Sequence, residues 1–257
     1  MSPNHTINRH RKLWRSYWAR TIPTLLLLGL LAVPAARGAD TNLNFLKPGS
    51  VAASALLAPP PLMESAEQAA DLETVRAVYH AAPEADKQAA YDEKKFAVFN
   101  FSPAIGPWFV SKTVPLTAEF FEKVLSDAES VTGNAKDFFK RPRPYTADPS
   151  LANGKLEKTF GYPSGHSTES MVVALVLAEL FPDRREPILA VARGIGWRRV
   201  EIARHYPTDI YAGRVLAQAI VREMKQDTAF QHDFAGAKAE LAAATAATVP
   251  EIGSGMK

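Results

Sequence analysis

The stretch GYPSGHSTESMVVALVLAEL, residues 161–180, limits the fold more than any other part of the chain. From Met171 to Leu180 nearly every side chain is apolar, so a helix here has no face suited to water and must be enclosed by other elements. Those elements also read as helices. Helical patterning covers residues 64–79, 84–96, 117–139, 167–180, 186–204, 208–225 and 227–243, with an interruption expected near Gly133 and Asn134. No β-branched alternation of useful length occurs, and there is no internal repeat. The expected fold is all-α, a single-domain helical bundle.

The bundle is not expected to include the start of the chain. Arg9, Arg11, Lys12, Arg15 and Arg20 precede an apolar run at residues 22–34, and small residues follow at Ala35, Ala36, Gly38 and Ala39. This is the pattern of a secretory signal peptide, read here as residues 1–38, with cleavage after Gly38 or after Ala35. The run falls short of the roughly 20 apolar residues of a spanning helix, so removal is expected rather than retention as an anchor. Residues 39–62 form a proline-rich arm, residues 63–245 the helical domain, and residues 246–257 a flexible tail.

Removing the leader reverses the charge. It carries six Lys or Arg and no acid, so its loss takes the formal charge from +3 to −3. A slightly acidic mature chain gives no global reason to bind nucleic acid, or to insert stably in a membrane once the leader is gone. The chain has no cysteine, which excludes disulfides, thiolate metal ligands and a thiol nucleophile. An exported protein of this kind is placed in the periplasm or secreted.

Three segments carry residues suited to chemistry. In the first, AKDFFKRPRPY, Lys136, Lys140, Arg141 and Arg143 are stiffened by Pro142 and Pro144; such a run also suits a solvated face. In the second, Pro163, Ser164, Gly165 and His166 open the oily helix. A glycine lets backbone amides approach a ligand, the helix aims its positive end the same way, and Ser164 and His166 add a hydroxyl and a proton donor. A plain turn and cap fits the same four residues.

In the third, Arg199 shares a helix face with Ile188, Ala192, Ile195 and Ile202, so it points along apolar surface and needs an anion if buried. A snorkelling arginine, or one paired to a core acid, satisfies that pattern too. His205 falls between helices, because Pro207 disfavours a helical Tyr206 and favours a new helix start. Asp209, four residues on, can hold the His205 Nδ1 proton and leave Nε2 free. The bland reading is a loop histidine beside a helix N-terminal acid. Together the three segments offer cations, an anion-binding helix start and two histidines, the set a tetrahedral oxyanion would require.

The spacing Lys136-x6-Arg143-Pro144, then Pro163-Ser164-Gly165-His166, then Arg199-x5-His205-x3-Asp209 resembles the signature of the type 2 phosphatidic acid phosphatase superfamily. That superfamily includes vanadium haloperoxidases and membrane lipid phosphatases; the leader, chain length, LLAPPPL and DIYAGRVLA are most similar to its bacterial class A non-specific acid phosphatases. One departure is Arg198, where the signature carries serine; HYPTD is closer to lipid-phosphatase members.

The resemblance implies a metal-independent acid phosphatase with no cofactor. Small phosphomonoesters are the implied substrates, alcohols are candidate acceptors, and relatives often form homodimers or larger homo-oligomers. It further implies that His205 attacks phosphorus, Asp209 holds its tautomer and His166 protonates the leaving group. Lys136, Arg143, Ser164, Gly165 and Arg199 would bind the phosphate oxygens.

The rivals differ in what they require. A vanadate-dependent haloperoxidase would use the same cradle but need vanadate for activity. A lipid phosphate or pyrophosphate phosphatase of the membrane type needs several spanning helices. A metal site on His166, His205 and Asp209 is opposed by the cations around it. A non-catalytic phosphate-binding protein would need the arginines but not the His205–Asp209 arrangement.

Overall fold

The computed structural model describes residues 43–93 and 96–248. The expected leader and residues 249–257 of the expected tail lie outside them. Among the described residues the regular structure is helical. In chain order, α1 is Ala53–Leu56, α2 Ala66–Ala81, α3 Glu84–Asp92, α4 Ser102–Ile105, α5 Pro115–Phe139, α6 Pro144–Ala147, α7 Gly165–Leu180, α8 Arg185–Glu201, α9 Pro207–Met224 and α10 Thr228–Thr248. The fold is all-α.

Helix α7 lies at the centre, packed against α5, α8 and α9. Its residues Met171, Val172, Val173, Ala174, Val176, Leu177 and Ala178 are all buried, as an all-apolar run demands. The outer layer is tied on by polar contacts. Glu240 of α10 caps the first turn of α5, accepting from the amides of Leu116 at 2.9 Å and Thr117 at 2.7 Å. Asp127 of α5 accepts from the amides of Asn44, Phe45 and Leu46 at 2.8, 2.8 and 3.0 Å. That anchor lets Phe45, Leu46 and Leu57 of the 43–62 segment join the main core.

Helix α5 continues through Gly133 and Asn134, where an interruption was expected. Val131, Thr132 and Ala135 are buried on either side, and that packing outweighs the cost of about 1 kcal/mol for a helical glycine. The helix ends where Lys140 takes a left-handed conformation (φ 51°), ahead of Pro142. Helix α8 stops at Glu201, short of the expected Arg204, because Ala203 turns left-handed (φ 52°). The Arg199 carbonyl then accepts from the amides of both Arg204 and His205, at 2.9 and 3.2 Å, folding His205 back beneath the end of α8.

Two glycines let α8 and α9 close on the first turn of α7. A Cβ on Gly196 would lie 3.1 Å from Ser167 Oγ, and one on Gly213 only 2.9 Å from the Ser164 carbonyl oxygen. Ser167 donates through this gap to the Ile210 carbonyl at 2.8 Å. Gly213→Ala is therefore expected to push the 163–166 turn off α9. The expected cost is about 1–3 kcal/mol of stability, read from urea denaturation, as for other overpacked sites.

Candidate active site

The end of α5, the loop after it, the start of α7 and the turn between α8 and α9 meet around a cavity of about 240 Å³. Its walls include Glu129, Lys136, Glu157, Thr159, Gly165, His166, Glu169 and His205. The candidate residues from three distant segments thus converge.

His205 is buried (2% exposed) and fully committed. Its Nδ1 lies 3.1 Å from Asp209 Oδ2, and Arg143 Nη1 lies 3.2 Å from its Nε2. A guanidinium only donates and a carboxylate accepts, so these partners assign the proton to Nδ1 and a bare lone pair to Nε2. Burial, with Arg143 and Lys136 nearby, pushes the imidazole well below its ordinary pKa and keeps it neutral.

Asp209 is wholly buried in the first turn of α9. Oδ2 also accepts from the Tyr206 amide at 3.0 Å, and Oδ1 accepts from Arg141 Nη1 at 2.6 Å. Burial raises this carboxyl, while Arg141 and the Tyr206 amide oppose the rise. Its backbone carbonyl accepts from the Ser164 amide at 3.0 Å, joining α9 to the turn that opens α7.

Ser164 is the N-cap of α7, its Oγ accepting from the Ser167 amide at 3.4 Å. The Gly165 and His166 amides lie in the first turn, where an α-helix provides them no acceptor of its own. His166 Nε2 lies 3.3 Å from the Glu93 carbonyl, which can only accept, so Nε2 carries a proton. Burial and then Arg199 lower His166 to about 4. Burial and then Arg143 lower Lys136 to about 8, and its Nζ donates to the Phe160 carbonyl at 2.8 Å.

Arg143 and Arg199 are buried (3% and 6% exposed) and share one carboxylate. Glu157 reaches Arg143 Nη2 at 2.6 Å and Arg199 Nη2 at 2.8 Å. Arg143 is further held by the carbonyls of Thr159 and Arg204, at 2.8 and 3.0 Å. Chemically, the site offers a neutral, oriented imidazole beside cations, with a second imidazole lining the same cavity.

Comparison with known proteins shows the family of the chain. The PAP2 superfamily profile matches residues 121–232, which run from α5 to α10 and contain all three motifs. An acid phosphatase of Zymomonas mobilis subsp. mobilis is 31% identical over 210 residues, 76% of this chain and 78% of that protein. The chain belongs to the PAP2 superfamily. A non-specific acid phosphatase of Providencia stuartii is 31% identical over 148 residues, 55% of this chain and 60% of that protein. A lipid A 1-phosphatase of Rhizobium etli is 42% identical over 52 residues, 20% of this chain and 22% of the relative. No helix among the described residues is long and apolar enough to cross a membrane.

The structure gives partners to Arg141 and Arg198, whose roles sequence reading left open, and adds Glu157, which it did not name. Arg141, in a run that also suited a solvated face, is buried (2% exposed). Its Nη2 donates to Gln68 Oε1 at 2.6 Å and pairs with Asp71 at 2.7 Å, both from α2. The available signal was that Gln68 and Asp71 share helical spacing with the apolar Val75, a position unsuited to charge without a partner. Arg198, in the signature's serine position, pairs with Glu93, whose carbonyl faces His166. Its Nε lies 2.9 Å from Glu93 Oε2. Glu157 lies in a loop without periodicity, so nothing local marks it.

Arg141→Gln is expected to lower unfolding free energy by about 3–5 kcal/mol, since it strips the cation from a buried pair. Without Arg141, burial pushes the Asp209 carboxyl further up. A carboxyl raised in the folded state favours folding when protonated, so the deficit should be largest at neutral pH and shrink as pH falls. Urea titrations at neutral and mildly acid pH check both the size and the sign.

Proposed function

We propose that this chain is an exported acid phosphatase that hydrolyses phosphomonoesters through a phosphohistidine on His205, without a metal. The observation that carries the reading is the His205 tautomer. Nδ1 is held by Asp209 at 3.1 Å, while Nε2 points its lone pair toward the Arg143 guanidinium at 3.2 Å. A nucleophile in this state needs no base to activate it, and the phosphate cations lie beside it.

In the proposed first step, Nε2 forms a bond to phosphorus as the bond to the ester oxygen breaks. The imidazolium that results is stabilised by Asp209. His166 gives a proton to the departing alkoxide, then takes one from the water that cleaves the phosphorus–nitrogen bond. Lys136, Arg143 and Arg199, the Ser164 hydroxyl and the amides of Gly165 and His166 bind the non-bridging oxygens. Phosphoryl transfer draws its acceleration from such positioning and charge stabilisation. Export is supported by the leader pattern, and the substrate class by the names of the relatives that match most of the chain's length.

His166 stands at about 4 in the empty site, chiefly through burial and then Arg199. A bound phosphate dianion favours the imidazolium and raises it, so turnover should be greatest on the acid side of neutrality. As pH rises through the raised value, the proton donor is lost and kcat falls. A rate still rising above about pH 8, well past an ordinary histidine, would contradict this.

Hydrolysis of p-nitrophenyl phosphate at mildly acid pH with EDTA tests the reading as a whole. Turnover should survive EDTA and fall by at least about 10³-fold in His205→Ala, the scale seen when a catalytic nucleophile is removed. EDTA-sensitive turnover, or a variant that keeps its rate, would overturn it. Activity without added vanadate, together with inhibition by vanadate, separates it from a haloperoxidase.

A further inference from the structure

The loop before α7 puts a carboxylate where the proposed reaction requires a phosphate. Glu157 Oε2 lies 2.6 Å from Arg143 Nη2, and Oε1 lies 2.8 Å from Arg199 Nη2, so the two oxygens span both guanidinium groups. The Glu157 backbone carbonyl is held by the Tyr145 hydroxyl at 3.0 Å, which pins the residue while leaving its side chain free to turn. Arg143 is fixed independently through its contacts to Thr159 and Arg204. Arg199 Nη1 donates to the Ala90 carbonyl at 3.2 Å, and its buried Nε has no hydrogen-bond partner. The arginines thus have supports of their own, and the carboxylate sits between them as a ligand does.

The surroundings of Glu157 are strongly cationic. Arg143 and Arg199 face it directly; His205 and His166 lie around it, and Glu169 of α7 is the like charge that senses it. Burial alone would raise this carboxyl, but the guanidinium charges of Arg143 and Arg199 hold it below its ordinary range. It is an anion over the whole range in which the site would work. Its side chain is 32% exposed, so it has a path to water that crosses no packed core.

We propose that Glu157 is an internal anion that occupies the phosphate position of the empty site and selects the ligands that can enter. A tetrahedral dianion displaces it, and a monoanion does not. The physical reason is a difference in charge and in tethering. A monoanion offers the arginines no more charge than Glu157 already supplies. It also competes with a tethered group, whose effective concentration is on the order of millimolar or above. A dianion brings twice the charge to the same two guanidinium groups, and reaches Lys136 and the first-turn amides of α7 as well. Glu157 is thereby a specificity-determining residue for phosphomonoesters over diesters. This rests on the reading of the site as a phosphate cradle.

The test is calorimetric titration of the full chain at about pH 7 with inorganic phosphate and with dimethyl phosphate, a monoanion. Wild type is compared with Glu157→Gln, which keeps the size and loses the charge. Glu179→Gln, which removes a surface partner of Lys225, is the control. Glu157→Gln should bind phosphate at least about tenfold more tightly, and should bind dimethyl phosphate where wild type does not. The KM for p-nitrophenyl phosphate should fall with it, the control matching wild type throughout.

Unchanged or weaker phosphate binding in Glu157→Gln would overturn the proposal, since Glu157 would then be holding the arginines in posture. Should Glu157→Gln melt too low to titrate, Glu157→Asp decides. Its shorter arm cannot span both arginines, so affinity should rise, and a fall overturns the idea. Absence of phosphate binding in every protein would instead overturn the cradle itself, and the proposed function with it.

Discussion

The buried carboxylate of Asp209 is the contact on which the site depends. It caps the start of α9 through the Tyr206 amide, holds His205 Nδ1 and takes the Arg141 guanidinium. Its backbone receives the Ser164 amide. One residue thereby joins the α8–α9 turn, the loop after α5 and the turn before α7. A wholly buried carboxylate is costly unless its lone pairs are filled by donors, and these donors are the parts of the site. Orientation of the His205 imidazole and burial of the charge have the same solution.

Around that anchor the charges are arranged in two layers. Arg141 faces inward, bound by Asp71, Gln68 and Asp209, and stacks on Tyr206 with its guanidinium carbon 4.0 Å from the ring centroid. Arg143, two residues on, pairs with Glu157 as Arg199 does, and Glu157 lines the cavity together with Lys136. The two arginines are separated by Pro142 in the non-helical chain after Lys140, which lets them reach different partners. The inner arginine is held between the buried carboxylates of Asp71 and Asp209, and the outer one is held by Glu157.

Much of this is legible in the order of the residues. The all-apolar α7 required enclosure and Pro207 and Asp209 marked a helix start, and both are seen; the apolar neighbours of Arg199 allowed a buried or a snorkelling side chain, and it is buried. Boundaries were less legible where a local signal competed with packing. Gly133 reads as a helix breaker but sits in a helix whose flanking residues are buried. The end of α8 depends on a left-handed alanine, a residue type with no preference for that conformation. Arg141 and Glu157 were opaque because their partners are remote, 68 residues away for Asp209 and Arg141, and set by chain path rather than by spacing.

The sequence alone determined the helical class, the central place of α7 and the three motifs that mark the chain as a PAP2 member. These are properties of local periodicity and of residue type at short spacing. Only the tertiary structure decided that Glu157 spans Arg143 and Arg199, that Arg141 binds Asp209 rather than water, and that Arg198 reaches His166 through Glu93. Each of these is an electrostatic match between residues that no helical or strand spacing relates. A charge has no directional preference along the sequence, and its partner is whichever opposite charge the packed helices bring within reach.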